Sequence, residues 1–166
     1  MSHRRNGPEL NLPRIGQGFD IHPFSDDPSR RLVLAGVVLP GPGLAGHSDA
    51  DVVAHAVADA LLGATGKGDI GTLFPDSDPQ LSGVDSMVLL ARIVADVSSQ
   101  FSIGNVDATV ITEAPKIAPY REEMCERLSE VLGAPASVKA KRAEAMGALG
   151  RREGIACFAV ALVVLQ

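Results

Sequence analysis

Two short segments hold the residue types best suited to chemistry. Gly18-Phe19-Asp20-Ile21-His22 alternates as a strand does, which puts Asp20 and His22 on one face, roughly 7 Å apart along the chain. Gly46-His47-Ser48-Asp49-Ala50-Asp51-Val52-Val53-Ala54-His55 reads as a helix start, with Ser48 placed to cap it and Asp51 completing a Ser-x-x-Asp box. An acid and an imidazole from a strand end, joined by His55 from a helix, form a three-donor set with an open fourth position. Catalytic zinc uses that arrangement, because the vacancy binds water or a substrate oxygen. Of four histidines in the chain, three lie in these segments, which concentrates the ligand chemistry there. Asp59, one turn beyond His55, is placed to orient its imidazole; a solvated helix face is the alternative for that carboxylate.

Further along, several clusters suit a phosphorylated ligand. His47 and Ser48 precede a helix end that favours anions; capping by Ser48 alone is the simpler alternative. Gly68-Asp69-Ile70-Gly71 and Phe74-Pro75-Asp76-Ser77-Asp78 put carboxylates and free backbone groups on tight turns, fit for polyol hydroxyls or a cation, or for plain solvation. Ala114-Pro115-Lys116 follows a strand and opens a helix; a lysine there suggests an anion held between two positive ends, or a snorkelling surface residue. Lys139-Ala140-Lys141-Arg142-Ala143-Glu144 and Gly150-Arg151-Arg152-Glu153-Gly154 read as a diphosphate clamp, with Glu144 on a hard cation, or as solvated basic turns.

These residues need a scaffold, and 166 residues suffice for one domain with a real core. A net charge of −5, no tryptophan and 4% aromatics argue against a nucleic-acid partner, which needs basic surface and stacking platforms. No apolar run approaches the roughly 20 residues of a membrane helix. With no signal-peptide pattern, a cytoplasmic protein is expected, with residues 1–13 as a disordered extension before a domain over 14–166. Cys125 and Cys157 lack redox spacing and read as core thiols. Strands are expected over Arg14–His22, Arg31–Leu39, Ile103–Thr112, Val138–Lys141 and Ile155–Leu165, the last central or at a subunit interface because both faces are apolar. Helices are expected over Asp49–Ala64, Asp85–Gln100 and Ile117–Leu132, with a long loop over Thr65–Gly83. Without a strict βαβ repeat the class is α+β, a mixed sheet packed with helices.

Five stretches, RIGQGFDIHPF, AGHSDADVVAHAVADALLGA, GDIGTLFPDSDP, NVDATVITEAPKIAPY and GRREGIACFAVALV, together resemble the 2-C-methyl-D-erythritol 2,4-cyclodiphosphate synthase family of the non-mevalonate isoprenoid pathway. The resemblance implies a homotrimer around a central cavity, with active sites between subunits. The reaction it implies is intramolecular attack of a 2-phosphate on the β-phosphorus of a cytidine diphosphate arm, with release of CMP. It implies zinc, or another divalent transition metal, on Asp20, His22 and His55, and magnesium held with Glu144. Substrate contacts fall on Asp20, His22, His47, Ser48, Asp69, Ile70, Gly71, Phe74, Pro75, Asp76, Ser77 and Asp78. A cytidine pocket falls on Thr112, Glu113, Ala114, Pro115, Lys116, Ile117 and Ala118, followed by Lys141, Arg142, Ala143 and Glu144. His47, Lys116 and Arg142 take the catalytic positions. Arg142 stands where the family commonly has a threonine; it cannot donate a hydroxyl, but its guanidinium can neutralise phosphate charge. Ala148 stands where many relatives have phenylalanine in the central cavity, which can hold an isoprenoid diphosphate; Phe19, Arg151 and Glu153 match other parts of that cavity. The open metal position also allows a zinc phosphohydrolase, and within the resemblance a catalytically silent isoprenoid-diphosphate-binding trimer is the other reading.

Overall fold

The computed structural model describes residues 12–75 and 77–166. The expected extension over residues 1–13 therefore falls, for 1–11, outside the described residues, and so does Asp76. Twelve elements follow in order. They are β1 (Arg14–Pro23), β2 (Arg31–Leu34), β3 (Val37–Pro42), α1 (Val52–Thr65), α2 (Ile70–Leu73), a 3-10 turn (Pro79–Leu81), α3 (Ser86–Val97), β4 (Phe101–Ile111), α4 (Arg121–Leu132), β5 (Ala136–Lys141), α5 (Gly147–Gly150) and β6 (Gly154–Leu165). The main sheet runs β1-β6-β4-β5, with β1 and β4 antiparallel to β6 and β5 parallel to β4, while β2 and β3 form a separate hairpin. This is the expected mixed α+β architecture. The apolar strand β6 is central in the sheet, one of the two places expected for it, although Phe158 and Val160 on one face stay exposed.

One face of the sheet is covered by α1, and the closeness of that packing is written in glycine. Gly16 and Gly18 lie on β1 directly beneath α1. A Cβ on Gly16 would sit 2.9 Å from Ala64 Cα, and one on Gly18 2.7 Å from Ala60 N, with a helix carbonyl nearer still in each case. The helix answers with alanines at 56, 60 and 64, all buried, so backbone packs on backbone. The opposite face of β1 leaves Ile15, Phe19 and Ile21 exposed, and the Phe19 ring meets Phe158 of β6 at 4.7 Å between centroids.

Asp51, not Ser48, caps α1. Its Oδ1 accepts from Val53 N at 3.0 Å and Ala54 N at 3.0 Å. The same carboxylate accepts from Ala35 N (2.9 Å) and Gly36 N (2.8 Å) at the β2–β3 turn, so one fully buried group ties hairpin to helix. Ser48 lies too far ahead of Val52 to cap it; its Oγ instead accepts from Ala50 N at 3.2 Å. Burial pushes the Asp51 carboxyl up to about 6, with nearby Asp49 adding to the rise, against the lowering pull of the backbone N–H groups. Asp51→Ala is expected to cost about 3 kcal/mol, since cap and turn donors lose their acceptor in a buried place; urea unfolding measures it, and a loss below about 1 kcal/mol would be too small for four severed bonds.

Several boundaries differ from expectation. Helix α1 begins at Val52 rather than Asp49, α3 ends at Val97 rather than Gln100, and β5 begins at Ala136 rather than Val138. Three further departures change the reading of the chain. The Thr65–Gly83 stretch contains α2 and the 3-10 turn, capped by Asp69 and Asp78, whose side chains accept from Thr72 N and Gln80 N. The helix expected from Ile117 begins at Arg121, because Pro119 biases Ala118 away from the helical region. Lys116 therefore lies five residues before α4 in a turn, and the dipole argument for an anion beside it does not hold. Strand β4 begins at Phe101 and absorbs an irregularity between Ile103 and Asn105.

Candidate active site

The end of β1 and the first turn of α1 meet at one cleft. Asp20 and His22 share the face of β1 that carries Gly16 and Gly18, and His55 comes down from α1. Asp20 Oδ2 lies 3.2 Å from His22 Nε2 and 2.9 Å from His55 Nδ1, and the three donor atoms lie within 4.8 Å of one another. Among the described residues this is the group of imidazoles and carboxylates close enough to hold a metal. The glycine stripe sets this separation, since a wider strand–helix gap would carry His55 away from Asp20.

Each imidazole is also held from behind. His22 Nδ1–H donates to Ala45 O at 2.7 Å, and Gly46 leaves room for the ring, because a Cβ there would sit 2.9 Å from His22 Cε1. His55 Nε2 faces Ser86 Oγ at 2.8 Å and Ser48 Oγ at 3.1 Å. Asp59, expected to orient His55, instead accepts from Ile70 N at 2.8 Å and anchors α2; burial raises its carboxyl above the usual range. Burial alone would raise Asp20, but hydrogen bonds from His22 and His55, and their charge, carry it well below the usual carboxylate range. The same Asp20 bond raises His22.

The cleft encloses about 590 Å³. Asp20, His22, Gly46, His47, Ser48 and His55 line it together with Ile70, Gly71, Phe74, Pro75, Leu81 and Leu89. His47 Nε2–H donates to Asp78 O at 2.8 Å, so its ring is held by the loop after α2 rather than by the end of α1. Asp69, Ser77 and Asp78 are not among the residues that line the cleft, although Asp78 O holds the His47 ring. Residues 112, 113, 115–118 and 140–142 line a second pocket of about 200 Å³ that shares no residue with the first. There Arg142 Nε stands 3.7 Å from Glu113 Oε2; Arg142 is 61% exposed and Glu113 only 11%. Ala143, Glu144 and Ala148 fall outside both pockets, with Glu144 exposed on a left-handed backbone. Arg151 pairs with Glu153 at 2.6 Å.

Sequence reasoning missed Ser86 and Arg30. Ser86 lies 31 residues from the histidine it touches, and Arg30, whose Nη2 donates to Ser48 O at 2.6 Å, lies 18 residues from that loop. Neither pairing has a spacing that sequence reveals.

The YgbB family model matches residues 13–164, nearly the whole chain. The chain belongs to the YgbB family. Among its relatives, the 2-C-methyl-D-erythritol 2,4-cyclodiphosphate synthase of Thermosynechococcus vestitus is 50% identical over 155 residues, 90% of this chain and 95% of that protein. The bifunctional enzyme IspD/IspF of an Anaeromyxobacter species is 53% identical over 90% of this chain; the chain spans 39% of that protein's length. The CDP complex of IspF from Plasmodium falciparum superimposes with a TM-score of 0.82 at 36% identity, covering 95% of this chain and 99% of that one. Asp20, His22 and His55 thus sit in a YgbB-family fold as one carboxylate and two imidazoles facing inward. Each ring is hydrogen-bonded outward on its other nitrogen, the support that a divalent metal's histidine ligands take. Among the described residues, no helix is long and apolar enough to cross a membrane.

Proposed function

We propose that this chain is a 2-C-methyl-D-erythritol 2,4-cyclodiphosphate synthase. It closes 4-diphosphocytidyl-2-C-methyl-D-erythritol 2-phosphate on itself: an oxygen of the 2-phosphate bonds to the β-phosphorus as the bond to CMP breaks. The observation that carries this reading is the Asp20–His22–His55 cluster, open to a cleft of about 590 Å³ in a chain half identical to a full-length synthase. Such a reaction needs positioning and charge neutralisation rather than a protein nucleophile. Zinc on the triad and magnesium on Glu144 would supply neutralising charge to the phosphates. His47, held at Nε2 by Asp78 O, lines the cleft, and Lys116, Lys141 and Arg142 supply the cations of the second pocket.

The cytidine is assigned, on the family resemblance, to the pocket of Thr112 to Ala118; that a relative from Plasmodium falciparum was solved as a CDP complex supports a cytidine nucleotide as ligand. The two pockets share no residue, and the β1–β6 face exposes Ile15 (70%), Phe19 (44%) and Phe158 (39%). A trimer that covers this face and brings one chain's triad to a neighbour's nucleotide pocket accounts for both features. Alanine at 148 in place of a large aromatic would change the packing and volume of the central cavity, which weakens the case for an isoprenoid diphosphate there. A cytoplasmic location follows from the same reading.

Phosphorus NMR of the full chain with substrate, zinc and magnesium tests the proposal. Metal-dependent CMP and a cyclic diphosphate are expected, and a chelated control stays silent. An open-chain diphosphate would mean a phosphohydrolase. No turnover by a folded, metal-loaded trimer would leave a binding protein. Arg142→Ala is expected to lower turnover about tenfold, the loss of one charge-assisted phosphate contact, with Arg142→Lys recovering part of it; unchanged turnover in the alanine variant would remove Arg142 from the mechanism.

A further inference from the structure

We infer that Ser86 and Asp49 are positioning residues that fix which nitrogen of His55 is free to bind a metal. The inference rests on the metal reading of the triad given above. Ser86 Oγ lies 2.5 Å from Asp49 Oδ1, and the Ser86 backbone N–H reaches Asp49 Oδ2 at 3.3 Å. A carboxylate only accepts, so the single Ser86 hydroxyl hydrogen is committed to Asp49. Toward His55, 2.8 Å away, Ser86 Oγ can then only accept, and His55 Nε2 must donate. With a hydrogen fixed on Nε2, Nδ1 is the nitrogen left for a metal: where it donates to Asp20 Oδ2, 2.9 Å away, its hydrogen is the one a cation displaces, leaving a neutral imidazole with its lone pair on Nδ1.

Every other polar group at this point fits the same direction. Ser48 Oγ accepts from Ala50 N and lies 3.1 Å from both Ser86 Oγ and His55 Nε2; with Nε2–H directed to Ser86, the shorter of its two contacts, the Ser48 hydrogen goes to the second lone pair on Ser86. Ser86 then donates once and accepts twice, which exhausts its capacity. At 1% exposure it has no water to take its place. Asp49 is itself held, accepting from Asp51 N at 3.2 Å while its own N–H donates to Val84 O at 3.1 Å. With the relay reversed, Nε2 would hold the lone pair and a neutral ring would keep its one hydrogen on Nδ1, donated to Asp20 Oδ2, where it shuts a cation out.

The test is zinc affinity of the full chain, measured by competition with a chromogenic chelator. Ser86→Ala removes the acceptor, and Asp49→Ala frees the hydroxyl to donate to Nε2. Both are expected to bind zinc roughly 10–100-fold more weakly, the usual cost of losing a ligand's outer partner. Ser86→Thr keeps the hydroxyl and should bind within a few-fold of wild type. In zinc-loaded protein labelled with nitrogen-15 histidine, the His55 Nε2–H signal should be protected from exchange and be lost in Ser86→Ala. A Ser86→Ala variant binding zinc as wild type does, or a threonine variant as weak as the alanine one, overturns the inference. Wild-type protein that fails to bind zinc overturns the metal reading itself, a result separate from any difference among variants.

Discussion

Asp20→Asn is expected to leave the fold standing while removing most of the divalent-metal affinity and nearly all turnover. Asp20 is the one anionic donor of the triad, and its Oδ2 alone faces both imidazoles. An asparagine keeps the shape but offers a neutral oxygen, or turns an N–H toward the metal position. Zinc affinity should fall at least about 100-fold, and turnover about 1,000-fold, roughly 4 kcal/mol of transition-state stabilisation. Chelator competition and phosphorus NMR measure the two effects. The unfolding midpoint should fall only modestly: the imidazole contacts that hold the Asp20 carboxyl low also stabilise the folded state at neutral pH, but asparagine relieves the cost of burying the charge. Retained affinity would take Asp20 out of the metal site; a large drop in stability would make it a structural residue instead.

Gly18→Ala, which touches no ligand, is expected to damage both stability and metal binding. The added Cβ would lie 2.7 Å from Ala60 N and closer to Ala56 O. Both are helix backbone atoms, so no change of rotamer relieves the clash, and α1 must lift from β1. The cost belongs at the top of the overpacking range, about 3 kcal/mol or more. Lifting α1 also separates His55 from Asp20 and His22, so zinc affinity should fall with stability. Gly63→Ala is the matched control: its nearest contact outside the helix would be Gln17 O at 3.7 Å, and alanine favours the helix by about 1 kcal/mol. A Gly18→Ala protein as stable as wild type in urea would show that the strand–helix spacing is softer than the glycine stripe implies.

The triad was legible because strand alternation and helix periodicity are local signals. Asp20 and His22 had to share a face, and His55 had to lie near the start of α1. Central β6 was legible from its apolar faces, and the five motifs carried the family. Long-range pairings were not. Asp51 sat inside a plausible capping box, and only the approach of the Ala35–Gly36 turn reveals that it caps the helix and holds the hairpin together. Asp59 has the right spacing from His55 to support it, yet the donor that reaches it first is Ile70 N–H. The start of α4 was legible in principle from Pro119, but the apolar Ile117 disguised it. Ser86 and Arg30 carry no pattern, since what they touch is set by how α3 and the β1–β2 loop fold back on residues 47–55.

The separation of the two pockets has a genetic consequence. In the proposed trimer each reaction centre draws its triad from one chain and its nucleotide pocket from another, so a defect in either half silences a centre without touching the other half's residues. A chain carrying Asp20→Asn and a chain carrying Arg142→Ala, each impaired alone, would rebuild intact centres wherever a sound triad faces a sound pocket. Two damaged copies of the gene would then complement each other inside one oligomer, while two lesions in the same half would not.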